Sequence, residues 1–284
     1  MLLVVVALGT WLYYKPQADT SGAHALSALK PKDVKRLRLE RPARADAGKS
    51  QVESAAPSVI SLMRQANQWV MTAPFTARGE SIPIERMLSI LDARSTVQYA
   101  AADVERYGLD KPQAVLTLED QSFAFGAINN MTREQYVLTR NSVYLVPLAY
   151  ITALPRTADA LLSLRFFGQD EVPVRFEFPD FTAELRTGTW TLSPASDDVS
   201  PDERNAWADS WRNASSTRAA RGDNRGASQN ITVGLKDGRS IAVGILEREP
   251  ELVLLRRDEG IQYYFGDAGR KLLNRPGVRE QTKK

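Results

Sequence analysis

Residues 114–126 read AVLTLEDQSFAFG, and residues 231–244 read ITVGLKDGRSIAVG. Both stretches are strand-like, and VKRLRLE (34–40) alternates apolar and polar residues, as a half-buried strand does. Their last glycines, Gly126 and Gly244, are 118 residues apart, and a strand-like run, VYLV or IQYYF, begins 17 residues after each. The correspondence predicts that the chain contains two copies of one sheet-rich unit.

Two further matches occur in the same order along both halves. NQWVMTAP (67–74) and GTWTLSPA (188–195) align at Trp69 and Trp190, and VKRLRLE (34–40) parallels VPVRFEF (172–178). Strands followed by a helix and then by more strands are typical of antiparallel α+β proteins. We therefore expect an α+β fold of two tandem related units, each a mainly antiparallel sheet with one or two packed helices.

Each half also carries signals for a helix. Ile84, Met87, Leu88 and Leu91 fall at i, i+3, i+4 and i+7, which places them on one helical face. Ser200-Pro201-Asp202-Glu203 has the pattern of a capping box with proline at N1. Short helices are also expected at 148–154 and 268–274. The predicted organisation is a membrane anchor at 1–15, a linker at 16–29, a first unit at 30–165, a second unit at 166–277, and a tail at 278–284.

The anchor prediction rests on residues 2–14, LLVVVALGTWLYY, which are uncharged and mostly apolar. A helix of 13 residues is about 20 Å long, whereas a bilayer core is about 30 Å thick. Trp11, Tyr13, Tyr14 and Lys15 resemble the interfacial belt that closes a membrane helix. We interpret the segment as an anchor that lacks upstream residues. A cleaved signal peptide with Ala23-His24-Ala25 as its cleavage site is one alternative, and a buried strand or helix is another.

Composition excludes several chemistries. The chain has no cysteine, which rules out disulfides and thiol catalysis. His24 is its only histidine and lies in the predicted membrane-proximal linker, so a Ser-His-Asp triad or a multi-histidine metal site is not expected within the chain. A net charge of +3 is weak support for a nucleic-acid partner, and nucleotide-binding loops are absent. We expect no catalytic residue, cofactor, metal or nucleic-acid partner.

The stretch ERYGLDKP (105–112) raises the choice between an active-site loop and a connector. Gly108 follows a short helical run where a left-handed capping residue is favoured, and Leu109 supplies the apolar contact of such a cap. Asp110 is suited to bonding turn amides, and Pro112 prevents continuation of the helix. The interpretation is structural, with a ligand-binding role for Asp110 or Lys111 as the alternative.

These motifs resemble the bacterial domain-of-unknown-function family 4340. The resemblance rests on a strand that ends in W-x(3–4)-P, then a helix, Y-G-L-D-x-P and closely spaced strands. It uses Trp69, Pro74, Tyr107, Gly108, Leu109, Asp110 and Pro112, with Trp190 and Pro194 as the second-half counterparts; the second half reads ARGDNRGASQN (220–230) in place of Y-G-L-D-x-P. The resemblance implies an N-terminal membrane helix and an extracytoplasmic region, and some relatives occur with gliding-motility-type ABC-transporter components.

Three functional hypotheses remain open. The first is a non-catalytic, membrane-anchored accessory or scaffold module in the periplasm, held by a single-pass anchor in the bacterial inner membrane and binding an envelope protein. The second is a glycan- or envelope-polymer-binding module that uses exposed aromatic residues, for which Trp207 and Trp211 are the candidates. The third is a carboxylate-based hydrolase, for which the acidic group around Asp202 and Glu203 is the densest cluster. Arg256 and Arg257 are candidates for contact with anionic lipid.

Overall fold

A computed structural model of the protein describes residues 22–42, 58–66, 68–196, 198–222, 226–266 and 269–277. The predicted anchor (2–14), the start of the predicted linker and the predicted tail lie outside these residues. None of the helices in the described ranges is long and apolar enough to cross a bilayer.

Alternating sequence in the first half forms eleven strands within the described residues. Their bounds are β1 His24–Ala25, β2 Arg36–Arg41, β3 Ser58–Gln65, β4 Gln68–Ala73, β5 Ala77–Arg78, β6 Arg94–Ser95, β7 Gln98–Ala100, β8 Ala114–Leu118, β9 Gln121–Ile128, β10 Glu134–Thr139 and β11 Ser142–Pro147.

The second half contributes eight more strands to the part that the structure describes. They are β12 Pro173–Glu177, β13 Thr182–Arg186, β14 Thr189–Ser193, β15 Arg218–Arg221, β16 Gln229–Leu235, β17 Ser240–Glu247, β18 Leu252–Arg256 and β19 Ile261–Phe265.

Helices are few and short by comparison. The α-helices are α1 Ser81–Leu88, α2 Ala149–Thr152, α3 Pro201–Arg212 and α4 Arg270–Leu273. Short 3-10 helices cover Pro31–Asp33, Ser89–Asp92, Val104–Tyr107 and Ala158–Leu161. The predicted apolar face of α1 is buried, and it continues through Leu91 in the 3-10 helix after α1.

The strands form three mainly antiparallel sheets in the described residues, so the α+β class is confirmed. The order in the largest sheet is β5-β4-β3-β2-β8-β9-β10-β11-β7, and in the second it is β14-β13-β12-β16-β17-β18-β19-β15. A third sheet contains only β1 and β6. Hairpins connect neighbours such as β8–β9, β10–β11 and β18–β19.

The chain separates into two compact units. Among the described residues, the first comprises 22–34, 40–42 and 86–153, and the second comprises those within 35–39, 58–85 and 154–277. The first unit is built around strands β7–β11, with Leu116, Phe123 and Phe125 among its fully buried residues.

The segment predicted as a linker includes residues that fold onto the first unit. His24 and Ala25 pair with Ser95 and Arg94, and Leu26 is fully buried. The amide of Gln121 donates to the carbonyl oxygen of Leu26 at 3.0 Å. An apolar residue and backbone hydrogen bonds therefore bring this stretch into the folded unit.

The core of the second unit is dominated by aromatic rings. Phe176 lies 5.1 Å from Trp207 and 5.3 Å from Trp211, measured between ring centroids. Ser200 caps α3 by accepting from the Glu203 backbone N–H, while the Glu203 carboxylate accepts from the Ser200 N–H, so the predicted capping box is confirmed.

Candidate functional site

The ERYGLDKP stretch forms a capped turn. Val104–Tyr107 is a 3-10 helix, and Gly108 ends it with φ 62°, in the left-handed region that was predicted for it. The N–H of Gly108 donates to the carbonyl oxygen of Glu105 at 2.9 Å, and the N–H of Leu109 donates to that of Val104 at 3.0 Å. Glycine adopts this backbone conformation without the steric penalty that a Cβ would bring.

This turn packs directly on strand β9. A Cβ on Gly126 would lie 2.3 Å from the carbonyl oxygen of Tyr107 and 2.8 Å from Cγ of Leu109. A Cβ on Gly108 would lie 3.1 Å from the backbone nitrogen of Ala127. The close approach requires glycine at position 126. The glycine that ends the repeated stretch is therefore the point of β9 on which the turn packs.

Side-chain amides fix the same point of the sheet. The carbonyl oxygen of Gly126 accepts from Gln113 and from Gln135, each at 2.9 Å. Gln135 is buried, and its other amide atom, Oε1, has no hydrogen-bond partner among the described residues. The β9–β10 register shifts here, because Gln135 faces Ile128 whereas Val137 faces Phe125. The extra β9 residue forms a bulge against which the turn rests.

The remaining residues of the motif lie at the surface. Asp110 and Lys111 are exposed, and Pro112 is half-buried. The expected bond from Asp110 to a turn amide is not formed, since its carboxylate makes no hydrogen bond to a described residue. Backbone hydrogen bonds of Gly108 and Leu109 hold the turn instead.

Tyr107 joins two other tyrosines into a cluster of rings. Its ring stacks on that of Tyr99 from β7, with centroids 5.8 Å apart and planes 16° apart. It also contacts the ring of Tyr136 from β10, at a centroid distance of 4.8 Å. The Asn129 amide donates to the Tyr136 hydroxyl at 3.0 Å. We call Tyr99, Tyr107, Tyr136 and Asn129 the tyrosine face.

The tyrosine face adjoins exposed apolar groups and an open strand edge. Tyr99 is 39% exposed, and the hairpin that contains Asn129 displays Ile128 (41% exposed) and Met131 (94%). Tyr99 belongs to β7, the last strand of its sheet, and all three β7 residues are exposed. Within the described part of the chain, only β11 pairs with β7, which leaves its other edge open. Exposed apolar residues beside tyrosine hydroxyls and such an edge are features of surfaces that bind other molecules.

The two tryptophan–proline motifs occupy matching places in their hairpins. Trp69 and Trp190 are each the second residue of a strand, β4 or β14, and both are buried. Pro74 and Pro194 directly follow the last residues of those strands. Their role is packing and strand termination.

Trp207 and Trp211, the candidates for stacking on a glycan, are buried and are not surface residues. Both lie on the inner face of α3, where Trp207 is 8% exposed and Trp211 is completely buried. The indole N–H of Trp211 donates to the carbonyl oxygen of Leu272 at 2.8 Å. Spacing alone placed the two rings on one face, and packing of that face against the sheet buried them.

The second unit contains a buried charge cluster that the sequence did not reveal. Arg256, a candidate for contact with anionic lipid, is only 1% exposed; it donates to Glu171 at 2.7 and 3.0 Å and to the carbonyl oxygen of Phe166 at 2.8 Å. Asp258 binds the same guanidinium. Burial alone would raise the pKa of Glu171, but Arg256 and the Gly168 N–H together hold that pKa below its usual value. Glu171 is therefore a structural anion.

A second arginine completes this cluster. Arg78 from β5 donates to Glu259 at 2.6 and 3.2 Å, and to the hydroxyl of Tyr263 at 2.9 Å. Burial and the charge of Glu259 raise the pKa of Tyr263, whose hydroxyl donates to Glu259 at 2.7 Å. The carbonyl oxygen of Phe166 accepts from Arg78 as well as from Arg256. Both carboxylates, Glu171 and Glu259, are committed to arginines and are not available as an acid–base pair.

Exposure thus separates the tyrosine face, which lies at the surface, from the cluster of arginines and carboxylates, which is buried. The sequence pattern alone does not separate these two groups. Within the described ranges, no three His, Asp or Glu side chains converge as a metal site would require. Tyr99, Tyr136 and Met131 were missed because tyrosine and methionine serve equally well in cores. The only signal in the sequence was that these residues lie in the same half of the chain as the Tyr-Gly-Leu-Asp turn. The contact between Tyr99 and Tyr107 becomes visible only once β7 is paired with β11.

Comparisons with known proteins give one match. No curated protein and no solved structure matches the chain. The model of a family described as "Domain of unknown function (DUF4340)" matches residues 69–221, more than half of the chain. This range includes the first tryptophan motif, the Tyr-Gly-Leu-Asp turn and the whole tyrosine face. The chain therefore belongs to the DUF4340 family.

Proposed function

We propose that the protein is a non-catalytic, membrane-anchored extracytoplasmic scaffold that binds an envelope protein through the tyrosine face. The observation that carries the proposal is the stack of Tyr99 on the motif residue Tyr107, beside an open strand edge. The partner surface would cover aromatic area that otherwise remains in contact with water. Tyrosine combines large contact area with a hydroxyl for hydrogen bonding, which suits it to recurrent protein contacts.

The open edge favours a polypeptide occupant. Backbone N–H and C=O groups along β7 need partners of the same spacing, and an extended segment of another chain supplies them by strand addition. Gln98 is held by a 3.0 Å bond to Ser142, so the edge strand is fixed in position before binding. The stacked rings beside it would add contacts with alternate side chains of the incoming segment.

Membrane attachment is the second part of the proposal. Residues 2–14, outside the described part of the chain, are the proposed anchor, with the folded region in the periplasm. Tethering raises the local concentration of the module near a membrane partner, so modest intrinsic affinity is enough. The resemblance to relatives that occur with ABC-transporter components makes such a transporter the proposed partner class.

We also propose that the chain arose from a duplicated unit. In support, β4-β3-β2-β8-β9-β10-β11-β7 in one sheet and β14-β13-β12-β16-β17-β18-β19-β15 in the other have the same chain order across the sheet.

A second correspondence supports the duplication. Gly126 faces Leu109, and Gly244 faces Ala227, where an added Cβ would lie 2.8 Å from that of Ala227. Gly126 and Gly244 are 118 residues apart, and so are Leu109 and Ala227. Ala227, which belongs to the segment that replaces Y-G-L-D-x-P in the second half, therefore lies against the strand that corresponds to β9.

Site-specific photo-crosslinking in membranes tests the scaffold proposal. A photoreactive phenylalanine at position 99 or 131 of the full chain should give an adduct with one integral membrane protein, identified by mass spectrometry. Thr189 on β14 is exposed in the other sheet and serves as the matched control position. Excess unlabelled protein should suppress the adduct, and excess Tyr99→Ala protein should not.

The outcomes separate the rival functions. Adducts that are equal at positions 99 and 189, or confined to soluble proteins, contradict the scaffold proposal. Exposed stacked tyrosines also suit a sugar ring, so envelope glycan binding that Tyr99→Ala abolishes would favour the glycan-binding alternative. Glycan hydrolysis by the purified chain would favour the third hypothesis.

A further inference from the structure

The first unit has an open groove on its surface, separate from the tyrosine face. It is lined by Arg86, Ser89, Pro147, Ala149, Tyr150, Thr152 and Ala153, and has a volume of about 530 Å³. This volume lies within the range of small-molecule sites, roughly 300–1,000 Å³. The groove runs between the α1 side of the unit and helix α2.

Two of the lining groups are free hydrogen-bond donors. Arg86 is exposed on α1 and makes no ion pair with a described residue. Tyr150 is half-buried, and burial together with the charge of Asp92 raises the pKa of its phenol. The phenol therefore stays protonated at neutral pH, and its hydroxyl has no hydrogen-bond partner among the described residues.

Two other lining groups can only accept. The hydroxyl of Ser89 donates its proton to the carbonyl oxygen of Arg86 at 2.7 Å. The hydroxyl of Thr152 likewise donates to the carbonyl oxygen of Ala149 at 3.0 Å. Since a hydroxyl has one proton, both oxygens are left with lone pairs for a ligand N–H or O–H.

The rest of the groove is apolar and small. Pro147, Ala149 and Ala153 present a ring and methyl groups, which accommodate short side chains. A purely anionic ligand would leave the Ser89 and Thr152 oxygens unused, and an uncharged ligand would leave the Arg86 guanidinium without a counterion. A compound with a carboxylate, an N–H donor and small apolar groups satisfies all three parts.

We propose that this groove binds short zwitterionic peptides of the dipeptide class. The carboxylate pairs with the Arg86 guanidinium and accepts from the Tyr150 hydroxyl. The peptide N–H and ammonium groups donate to Ser89 and Thr152, and the side chains lie against Pro147, Ala149 and Ala153.

Saturation-transfer NMR on the full chain in detergent tests the site with alanyl-alanine as the probe. Its methyl resonances should respond, whereas N-acetyl-alanyl-alanine amide, which lacks both charges, should not. Arg86→Gln should weaken binding about ten-fold or more, because it removes a charge-assisted hydrogen bond. Arg94→Gln, an exposed arginine on β6 outside the groove, should leave binding unchanged.

A second variant separates loss of binding from loss of folding. Ala149→Leu adds bulk at an exposed lining position and should block the dipeptide while the melting temperature is retained. No response from alanyl-alanine at millimolar concentration, an equal response from the blocked peptide, or undiminished binding by Arg86→Gln would each overturn the proposal. The tyrosine face contains none of these residues, so the crosslinking experiment is independent of this result.

Discussion

Gly126 is the residue at which the Tyr-Gly-Leu-Asp turn approaches the sheet most closely. Its missing side chain leaves room for the Tyr107 carbonyl group, and its own carbonyl oxygen accepts from two glutamine amides. Gly108, by contrast, is required by its backbone conformation as well as by its contact with Ala127. The glycine of the turn and the glycine of β9 are thus needed for different physical reasons.

We expect Gly126→Ala to destabilise the first unit more than Gly108→Ala does. Gly108→Ala should lower the free energy of unfolding by roughly 1 kcal/mol or more, because position 108 has positive φ and a tight contact. Gly126→Ala places a methyl group against the backbone oxygen of Tyr107. Because this contact is with backbone, the strand and the turn have to move apart, and no side-chain rotation relieves the clash. Urea unfolding of both variants measures the difference. Gly188→Ala, with positive φ and open space around it, gives the cost of conformation alone; equal effects for all three variants would contradict the packing argument.

The Glu171–Arg256 pair makes stability depend on pH. The folded-state pKa of Glu171 is lower than its ordinary value of 4.5. Its stabilisation is therefore complete above that value and is lost as the pH falls through the folded-state pKa. Glu171→Gln should cost about 3 kcal/mol at pH 7, the low end for a broken buried pair, because Asp258 still faces Arg256.

Urea unfolding of this variant at neutral pH and below pH 4.5 gives the test. The difference from the unmodified protein should shrink progressively below pH 4.5 and disappear once the pH is below the folded-state pKa, where Glu171 is uncharged like the glutamine. Glu177→Gln removes an exposed carboxylate that pairs with Arg175 and should have little effect at either pH. A penalty for Glu171→Gln that does not change with pH would show that packing, not charge, is lost.

Helix α3 is the element that closes the aromatic core of the second unit. It begins at a complete capping box, and it carries Trp207 and Trp211 on its buried face. The rings of Phe176, Phe178 and Phe181 contact these tryptophans from the adjoining strands and turn. The helix is otherwise mostly polar, and its buried face, with Trp207 and Trp211, packs it against the core of the second unit.

Loss of the cap should weaken this element without changing its packing. Ser200→Ala removes the hydroxyl that accepts from the Glu203 N–H and should cost about 1 kcal/mol of stability. Ser210→Ala is the matched control, because Ser210 lies within the same helix and its hydroxyl only donates to the Ala206 carbonyl oxygen. Thermal and urea unfolding compare the two. A Ser200→Ala variant as stable as Ser210→Ala would mean that the capping box contributes little.

Across the whole molecule, the same chain order of strands recurs in the two large sheets. The glycines that end the repeated stretches face different partners, however. Tyr107 and Leu109 occupy the space at Gly126, whereas the Ala227 methyl group occupies it at Gly244. The duplication proposal therefore predicts that both glycines leave room for the segment packed on them. Because those segments differ, the protein should tolerate a side chain at Gly126 and at Gly244 to different degrees.

A double-mutant cycle tests this prediction. Gly244→Ala should destabilise the protein, and Ala227→Gly should remove much of that penalty, because the obstructing atom is a single methyl group. The corresponding first-half change, Leu109→Ala, should not rescue Gly126→Ala, since the Tyr107 carbonyl oxygen remains. Additive effects of Gly244→Ala and Ala227→Gly in urea unfolding would contradict the shared role.

Features that depend on neighbours along the chain could be predicted from the amino-acid sequence. Alternation predicted the strands, the Ser200–Glu203 pattern predicted the cap of α3, and Gly108 was predicted to have positive φ. The ordered matches predicted a repeat, and the tryptophan and Tyr-Gly-Leu-Asp motifs identified the family. Such features need only local backbone geometry and short-range hydrogen bonds.

Tertiary structure decided which of these residues are available at the surface. Trp207 and Trp211 are equally good core or surface residues until the face of α3 meets a sheet, and that contact buries them. Arg256 is buried because Glu171, 85 residues away along the chain, compensates its charge. Tyr99 and Tyr107 meet because β7 pairs with β11, and no local pattern encodes that pairing. Burial and charge compensation depend on contacts between distant segments, so the candidate site became visible only in the folded chain.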